Sequence, residues 1–318
     1  MSDEDWQPLH AGELALQRRA GVAGRIGEIA RRVIRDHMPD QHREFFALLP
    51  TVLLGAVDAD GWPVATMLAD DPGFMQSPDP YHLHLRAAGD ADDPVLAALT
   101  PGAQVGVLGL QPHTRRRNRM NGEVLARDAA GLRVKVIHSF GNCPKYIQGR
   151  EPQRRAPSAA GPTQRGGPLL GAALQARIER ADTFFIASAA AVMPDAAHGV
   201  DVSHRGGLPG FVQCTEEGGH SVLTIPDYLG NYLFNTLGNL ALNPRCGLLF
   251  VDYDDGSLLH VAGRAEVIWD GPAVTAHAGA ERLLRIVVER SVLRTAALPL
   301  RWSAPAWSPV LPGFTDSR

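Results

Sequence analysis

The sequence predicts a mainly β protein with helices, built as two small antiparallel barrels side by side, each with a helix over one end. Three observations predict it. The two halves present the same order of apolar runs and turn signals, the signature of an internal repeat. Gly106 of "VGVLGL" precedes Gly122 of "NGEV" by sixteen positions, and Gly247 of "CGLLF" precedes Gly263 of "AGRAEV" by sixteen as well. Each first glycine follows a helical stretch that closes on a proline, Pro101 in one half and Pro244 in the other. Matched spacing inside a matched order of elements indicates a tandem duplication.

The elements can be read in order. Residues 1–44 open acidic and then read as a charged amphipathic helix through Ile34. In the first half, 45–150, "TVLLGAVDADGWPVATML" places two apolar runs around an Asp-Gly turn and reads as a β-hairpin. A strand "YHLHLRA", a short helix in "DPVLAALTPGA" and strands at "QVGVLGL" and "NGEVLA" follow. "EPQRRAPSAAGPTQRGGP", 151–168, is rich in Pro, Gly, Ser and Arg and reads as a linker. The second half, 169–318, opens with a helix from Leu169 to Ala181 and continues with strands at "TFFIASA", "PGFVQC" and "SVLTI". A helix, then "CGLLFVDY" and "HVAGRAEVIW", complete it.

Composition bounds the function. With 318 residues, 45% of them hydrophobic, the chain can bury one large core or two ordinary ones. A net charge of -3 argues against a wholesale nucleic-acid or membrane-surface binder. No run of about 18 apolar residues predicts a membrane-spanning helix, and the acidic start does not read as a signal peptide. Cys143, Cys214 and Cys246 are few, far apart and without a CxxC pair, which fits a reducing compartment and a cytoplasmic protein.

The stretch "LTIPDYLGNYLFNTLGNLALNP" places asparagine at 231, 235 and 239, a spacing that would stack all three along one helix face. Asparagine weakens helix interiors by competing for the backbone, so such a line needs a reason. At 1.5 Å rise per residue, Asn231 and Asn239 would lie roughly 12 Å apart, too far to share one small group. Asn239 is therefore expected to cap or pin a neighbouring loop.

"DVSHRGGLPGFVQC", "LTIPDYLGN" and "NPRCGLLFVDY....LLHVAGRAEVI" resemble the strand, helix and strand signatures of the pyridoxamine 5'-phosphate oxidase-like FMN-binding split barrels. The resemblance is good from about Ala181 to Asp270 and weaker, though consistent, in the first half. It implies two split barrels in one chain, an intrachain pseudo-dimer with FMN in the groove between them. "SFGNCPKYIQGR" resembles segments that approach the cofactor from the partner barrel, which brings in Lys145 and Tyr146.

The resemblance also suggests roles for site residues. Asn231, Asn235 and Thr236 go to the phosphate end, where free backbone N–H groups of a helix start also point. Phe211, Val212 and Gln213 would lie against the flavin ring edge, with ordinary core packing the alternative for Phe211, and Thr224, Ile225 and Pro226 would lie against the ring or ribityl chain. The family carries Arg and Lys at the start of this helix, whereas "NYLFNTLGNL" offers no cation. Arg205 in "SHRGG", flanked by Ser203, Gly206 and Gly207, is the first candidate to replace it, followed by Lys145 and Arg301. The bland alternative for "RGGLPG" is a hairpin turn with a solvated arginine.

Other patterns are read as ordinary structure. "HTRRRNRMNG" is expected to be a solvated hairpin loop, with recognition of an anionic substrate or an acidic redox partner as the functional alternative. "HLH" at 82–84 places two histidines on one strand face without a third ligand, so no metal site is expected. The expected function is an FMN-dependent oxidoreductase, with a small-molecule substrate or a nicotinamide or electron-transfer partner and with no catalytic side chain named. The alternatives are a non-catalytic flavin carrier and a haem-binding split barrel. No nucleic-acid or membrane partner is expected, and the chain would be a monomer or homodimer.

Overall fold

A computed structural model describes residues 6–86, 92–156, 161–190 and 199–311. The N-terminal segment forms three helices in place of one: α1 (Ala11–Arg19), α2 (Ala23–Val33) and α3 (Asp40–Leu48). Gly21, at φ 69°, breaks the first from the second, because the left-handed region costs glycine nothing. At the other end of α1, His10 accepts from the Gly12 N–H while Glu13 reaches back to the His10 N–H, a capping box.

The first half contains β1 (Thr51–Val57), β2 (Pro63–Ala69), β3 (Met75–Gln76), β4 (His82–Leu85), α4 (Pro94–Ala98), β5 (Gln104–Gln111), β6 (Arg116–Asp128) and β7 (Gly131–Gly141). The 151–168 stretch carries β8 (Pro152–Arg154) and β9 (Thr163–Gly166), and α5 (Ala172–Arg180) follows. The second half contains β10 (Thr183–Ala189), β11 (Val200–Gly206), β12 (Gln213–Glu217), β13 (His220–Tyr228), α6 (Asn235–Leu242), β14 (Arg245–Val251) and β15 (Leu258–Ile268). It closes with α7 (Pro272–Thr275), β16 (Ala280–Arg294) and β17 (Leu300–Trp302).

The first sheet runs β2-β1-β5-β6-β7-β4-β3 and the second β11-β10-β14-β15-β16-β13-β12. Strand for strand the two orders are the same, with one helix before the first strand and another between the fourth and fifth. This is the tandem pair of split barrels that the repeat predicts, each sheet antiparallel and open at its edges. The stretch read as a linker is partly built into the second half: β9 pairs with β16, and β8 pairs with β17.

The four matched glycines have matched duties. Gly106 and Gly247 lie where the two sheets touch. A Cβ on Gly106 would meet the Val200 carbonyl oxygen at 2.5 Å, and one on Gly247 the Pro63 carbonyl oxygen at 2.2 Å. Gly122 and Gly263 each mark a β-bulge, with the register shifting at Asn121/Gly122 and at Ala262/Gly263. A side chain at either bulge would strike the backbone of the next strand, at Lys135 or at Val287.

Each half has its own apolar core, and a third cluster joins them. Leu53, Met67 and Leu108 of the first half pack there with Phe185, Val202 and Leu249 of the second. Removing that apolar area from water holds the sheets face to face. Among the described residues, no helix is long and apolar enough to cross a membrane.

Candidate functional site

The junction of the halves opens into a groove. Its first wall comes from β5 and β6. Arg117 and Arg119 stand two positions apart on β6 and so point to one face of the strand, opposite Leu110 and Leu108 of β5. The loop after β7 adds Asn142, Cys143, Lys145 and Tyr146. The second wall comes from Ser203 to Gly206 on β11, from Phe211, and from the stretch running from Pro226 into the start of α6.

"HTRRRNRMNG" is therefore not a solvated loop. The turn is confined to Pro112–Thr114, and β6 begins at Arg116. Arg119 is buried, and its guanidinium donates to Asp201 across the junction at 3.2 Å and to the Ser203 hydroxyl. Arg117 donates its Nε–H to the Cys143 carbonyl at 2.8 Å and fixes the loop that carries Lys145. Arg115 reaches the Ile147, Ala306 and Trp307 carbonyls, and Arg116 lies over the Phe45 ring.

The line of asparagines is broken. Tyr232 and Phe234 take positive φ of 57° and 62°, so α6 begins only at Asn235 and Asn231 belongs to the preceding loop. Its side-chain oxygen accepts from the Leu233 N–H at 3.1 Å. Asn235 donates to Glu13 of α1. Asn239 is the pin expected from the sequence: it accepts from His10 Nε2 at 2.9 Å and donates to Ser188 and Asp201. The Thr236 hydroxyl donates to that of Ser203 at 3.0 Å, inside the groove.

Of the residues expected at the site, Lys145, Tyr146, Ser203, Arg205, Phe211, Pro226, Asn231, Asn235 and Thr236 line this groove, and Val212, Gln213, Thr224 and Ile225 do not. Val212 and Ile225 are buried in the second-half core, and Phe211, at the groove's edge, also belongs to that core, its ring stacked on Phe184. Residues 208–212 form turns in place of a strand, so Gln213 opens the edge strand β12, exposed and paired with Thr224. Arg301 is exposed on β17, paired with β8 away from the groove. Gly206 and Gly207 make room for the chain itself, since a Cβ would meet the Tyr146 carbonyl oxygen at 2.1 Å or the Phe211 ring at 2.3 Å.

Charge in the groove is unevenly matched. Asp227 takes both Arg205 and Arg282, and Glu281 also pairs with Arg282. Arg119 has Asp201. Among the described residues, Arg117 and Lys145 have no carboxylate partner. Burial, and then the neighbouring Arg119, brings Arg117 down to about 10, which leaves it charged at neutral pH. Burial, then Arg117 and Arg205, holds His204 neutral, well below the usual histidine range.

Two aromatic rings and two orphaned donors complete the site. Tyr146 and Tyr228 face each other with ring centroids 5.3 Å apart, and the Tyr146 hydroxyl donates to the Leu229 carbonyl at 3.0 Å. Among the described residues, the buried Nε–H groups of Arg119 and Arg205 find no hydrogen-bond partner. The arrangement can receive an anion beside a flat, partly apolar body.

No protein-family model matches the chain, and no curated protein does. Among solved structures, HupZ of Group A Streptococcus is similar at 14% identity over 39% of this chain and 92% of that one, with a TM-score of 0.31. A candidate pyridoxamine 5'-phosphate oxidase from Lactobacillus delbrueckii is similar at 17% identity over 33% of this chain and 95% of that one, TM-score 0.26. HutZ of Vibrio cholerae, described as a haem storage protein, is similar at 13% identity over 39% and 92% of the two chains, TM-score 0.26.

Proposed function

We propose that the groove holds FMN and that the chain is an FMN-dependent oxidoreductase acting on a small molecule or a reduced nicotinamide. The observation that supports this reading is the pair of uncompensated cations, Arg117 and Lys145, in a groove that also gathers neutral donors at the start of α6. A dianionic phosphate next to an apolar, flat ring is what such a donor set fits. The residues therefore fit the flavin. Bound flavin would supply hydride exchange at its N5.

The chain's own residues bind, orient and shield. Arg117 and Lys145 supply the charge that the helix start lacks. Ser203, Thr236 and Asn231 supply neutral hydrogen bonds. Tyr146, Phe211 and Tyr228 supply ring surfaces, and the Arg119–Asp201 pair holds the two walls together. Arg205 takes second place to Arg117, because Asp227 already neutralises it. No side chain is assigned a proton-transfer role.

The test is the absorption spectrum of the full chain after loading with FMN, followed by turnover with NADH or NADPH. A bound flavin spectrum with nucleotide oxidation supports the enzyme. Bound flavin that no nucleotide reduces would make the chain a carrier, and a haem spectrum in place of flavin would overturn the cofactor.

A further inference from the structure

The duplication creates a second groove, related to the first by the repeat, in which β14 and β15 face β2 and α4. Its residues can be matched to those of the first through strand register. Gly106 pairs with Asn121 and Leu108 with Arg119, as Gly247 pairs with Ala262 and Leu249 with His260, so His260 stands where Arg119 does. Leu53 pairs with Met67 as Phe185 pairs with His204. Thr66 therefore stands for Ser203, and Val64 for Asp201.

The second position is filled by the chain's own groups, since Thr66, Asp93, Leu258 and Arg294 are all buried there. Asp93 occupies the N-cap of α4 and accepts from the Val95 and Leu96 N–H groups at 2.9 and 3.1 Å. Its other oxygen accepts from the Thr66 hydroxyl and, at 2.6 Å, from Arg294, which stands where Asn142 does in the first half. The carboxylate is 1% exposed. In the first groove the equivalent N-cap is Phe234, which offers no side-chain cap, and Ser203 faces Thr236.

We propose that Asp93 is the resident anion of the second groove, so that the chain takes one phosphate-bearing ligand, in the Arg117 groove, and not two. A phosphate entering beside Asp93 would meet like charge at hydrogen-bonding distance, with the helix N–H groups, the hydroxyl and the arginine already engaged. This inference rests on the proposed reading of the first groove.

Calorimetric titration of the full chain with FMN should give one site per chain. The Arg117→Gln/Lys145→Gln double variant should then lose binding altogether. Two sites in the native chain, or one surviving in the double variant, would overturn the inference while leaving FMN binding intact. No binding to the native chain would overturn the cofactor, and a second arm still tests Asp93. The melting temperature of Asp93→Ala should rise more in formate than in chloride at equal ionic strength, while the native chain responds equally to both. Equal responses in the variant would show that the slot holds no anion.

Discussion

Arg119 on β6 and Asp201 on β11 form a buried ion pair, 3.2 Å apart, across the junction of the two halves. Asp201 also accepts from Asn121 of the first half and from Asn239 of α6, so one carboxylate ties a strand of each half to the helix that starts the groove. Removing one partner of a buried pair leaves the other charge uncompensated, at a cost of about 3–5 kcal/mol. The two asparagine bonds to Asp201 place Arg119→Ala at the lower end, about 3 kcal/mol. Urea denaturation measures it. A loss under about 1 kcal/mol, the range of an exposed pair, would mean that the junction does not depend on this contact.

Gly238 of α6 packs against α1 with no room for a side chain. A Cβ there would meet the Glu13 backbone nitrogen at 2.7 Å and its Cα at 2.9 Å. In an exposed helix, glycine to alanine stabilises by about 1 kcal/mol. Here the added methyl must push two backbones apart, and overpacking costs about 1–3 kcal/mol. Gly238→Ala should therefore lower the denaturant midpoint, and a raised midpoint would show that α1 does not dock on α6 this closely.

Glu13 carries a pH signature. Burial, and then the Asp201 carboxylate, raises it from 4.5 to about 8. The folded chain thus keeps a proton that the unfolded chain releases between these values. Its contribution to stability is full below about pH 4.5 and is lost as pH rises through about 8. Glu13→Gln should remove this slope, so that variant and native chain diverge between about pH 4.5 and 8, in favour of the variant. Parallel stability curves from pH 5 to 9 would contradict the burial of this carboxyl.

Much of the fold was legible because backbone crowding leaves its mark in glycine. Gly106 and Gly247 are demanded by contact between sheets, and Gly122 and Gly263 by bulges, so their spacing reported the repeat directly. The break at Gly21 was not legible in the same way, because a lone glycine inside an amphipathic pattern is tolerated in a helix, and the stretch reads as one helix through Ile34. Nothing local announces that Tyr232 and Phe234 take left-handed φ, since such residues adopt it only when surrounding structure imposes it. Asn231 therefore looked helical. The arginines of β6 were misread because a charged run resembles a solvated loop. The repeat held the correction: if "LLHVAG" before Gly263 is strand, "RNRMNG" before Gly122 must be strand too.

The affinity of FMN against riboflavin, measured by fluorescence titration of the native chain and of Arg117→Gln, tests the anion site most directly. FMN should bind the native chain more tightly than riboflavin does. Arg117→Gln should weaken FMN by about 1.5–3 kcal/mol, the range for a hydrogen bond to a charged group, and leave riboflavin unchanged. Equal affinities of the two ligands for the native chain, or a matched loss of both in the variant, would contradict an anion site at Arg117.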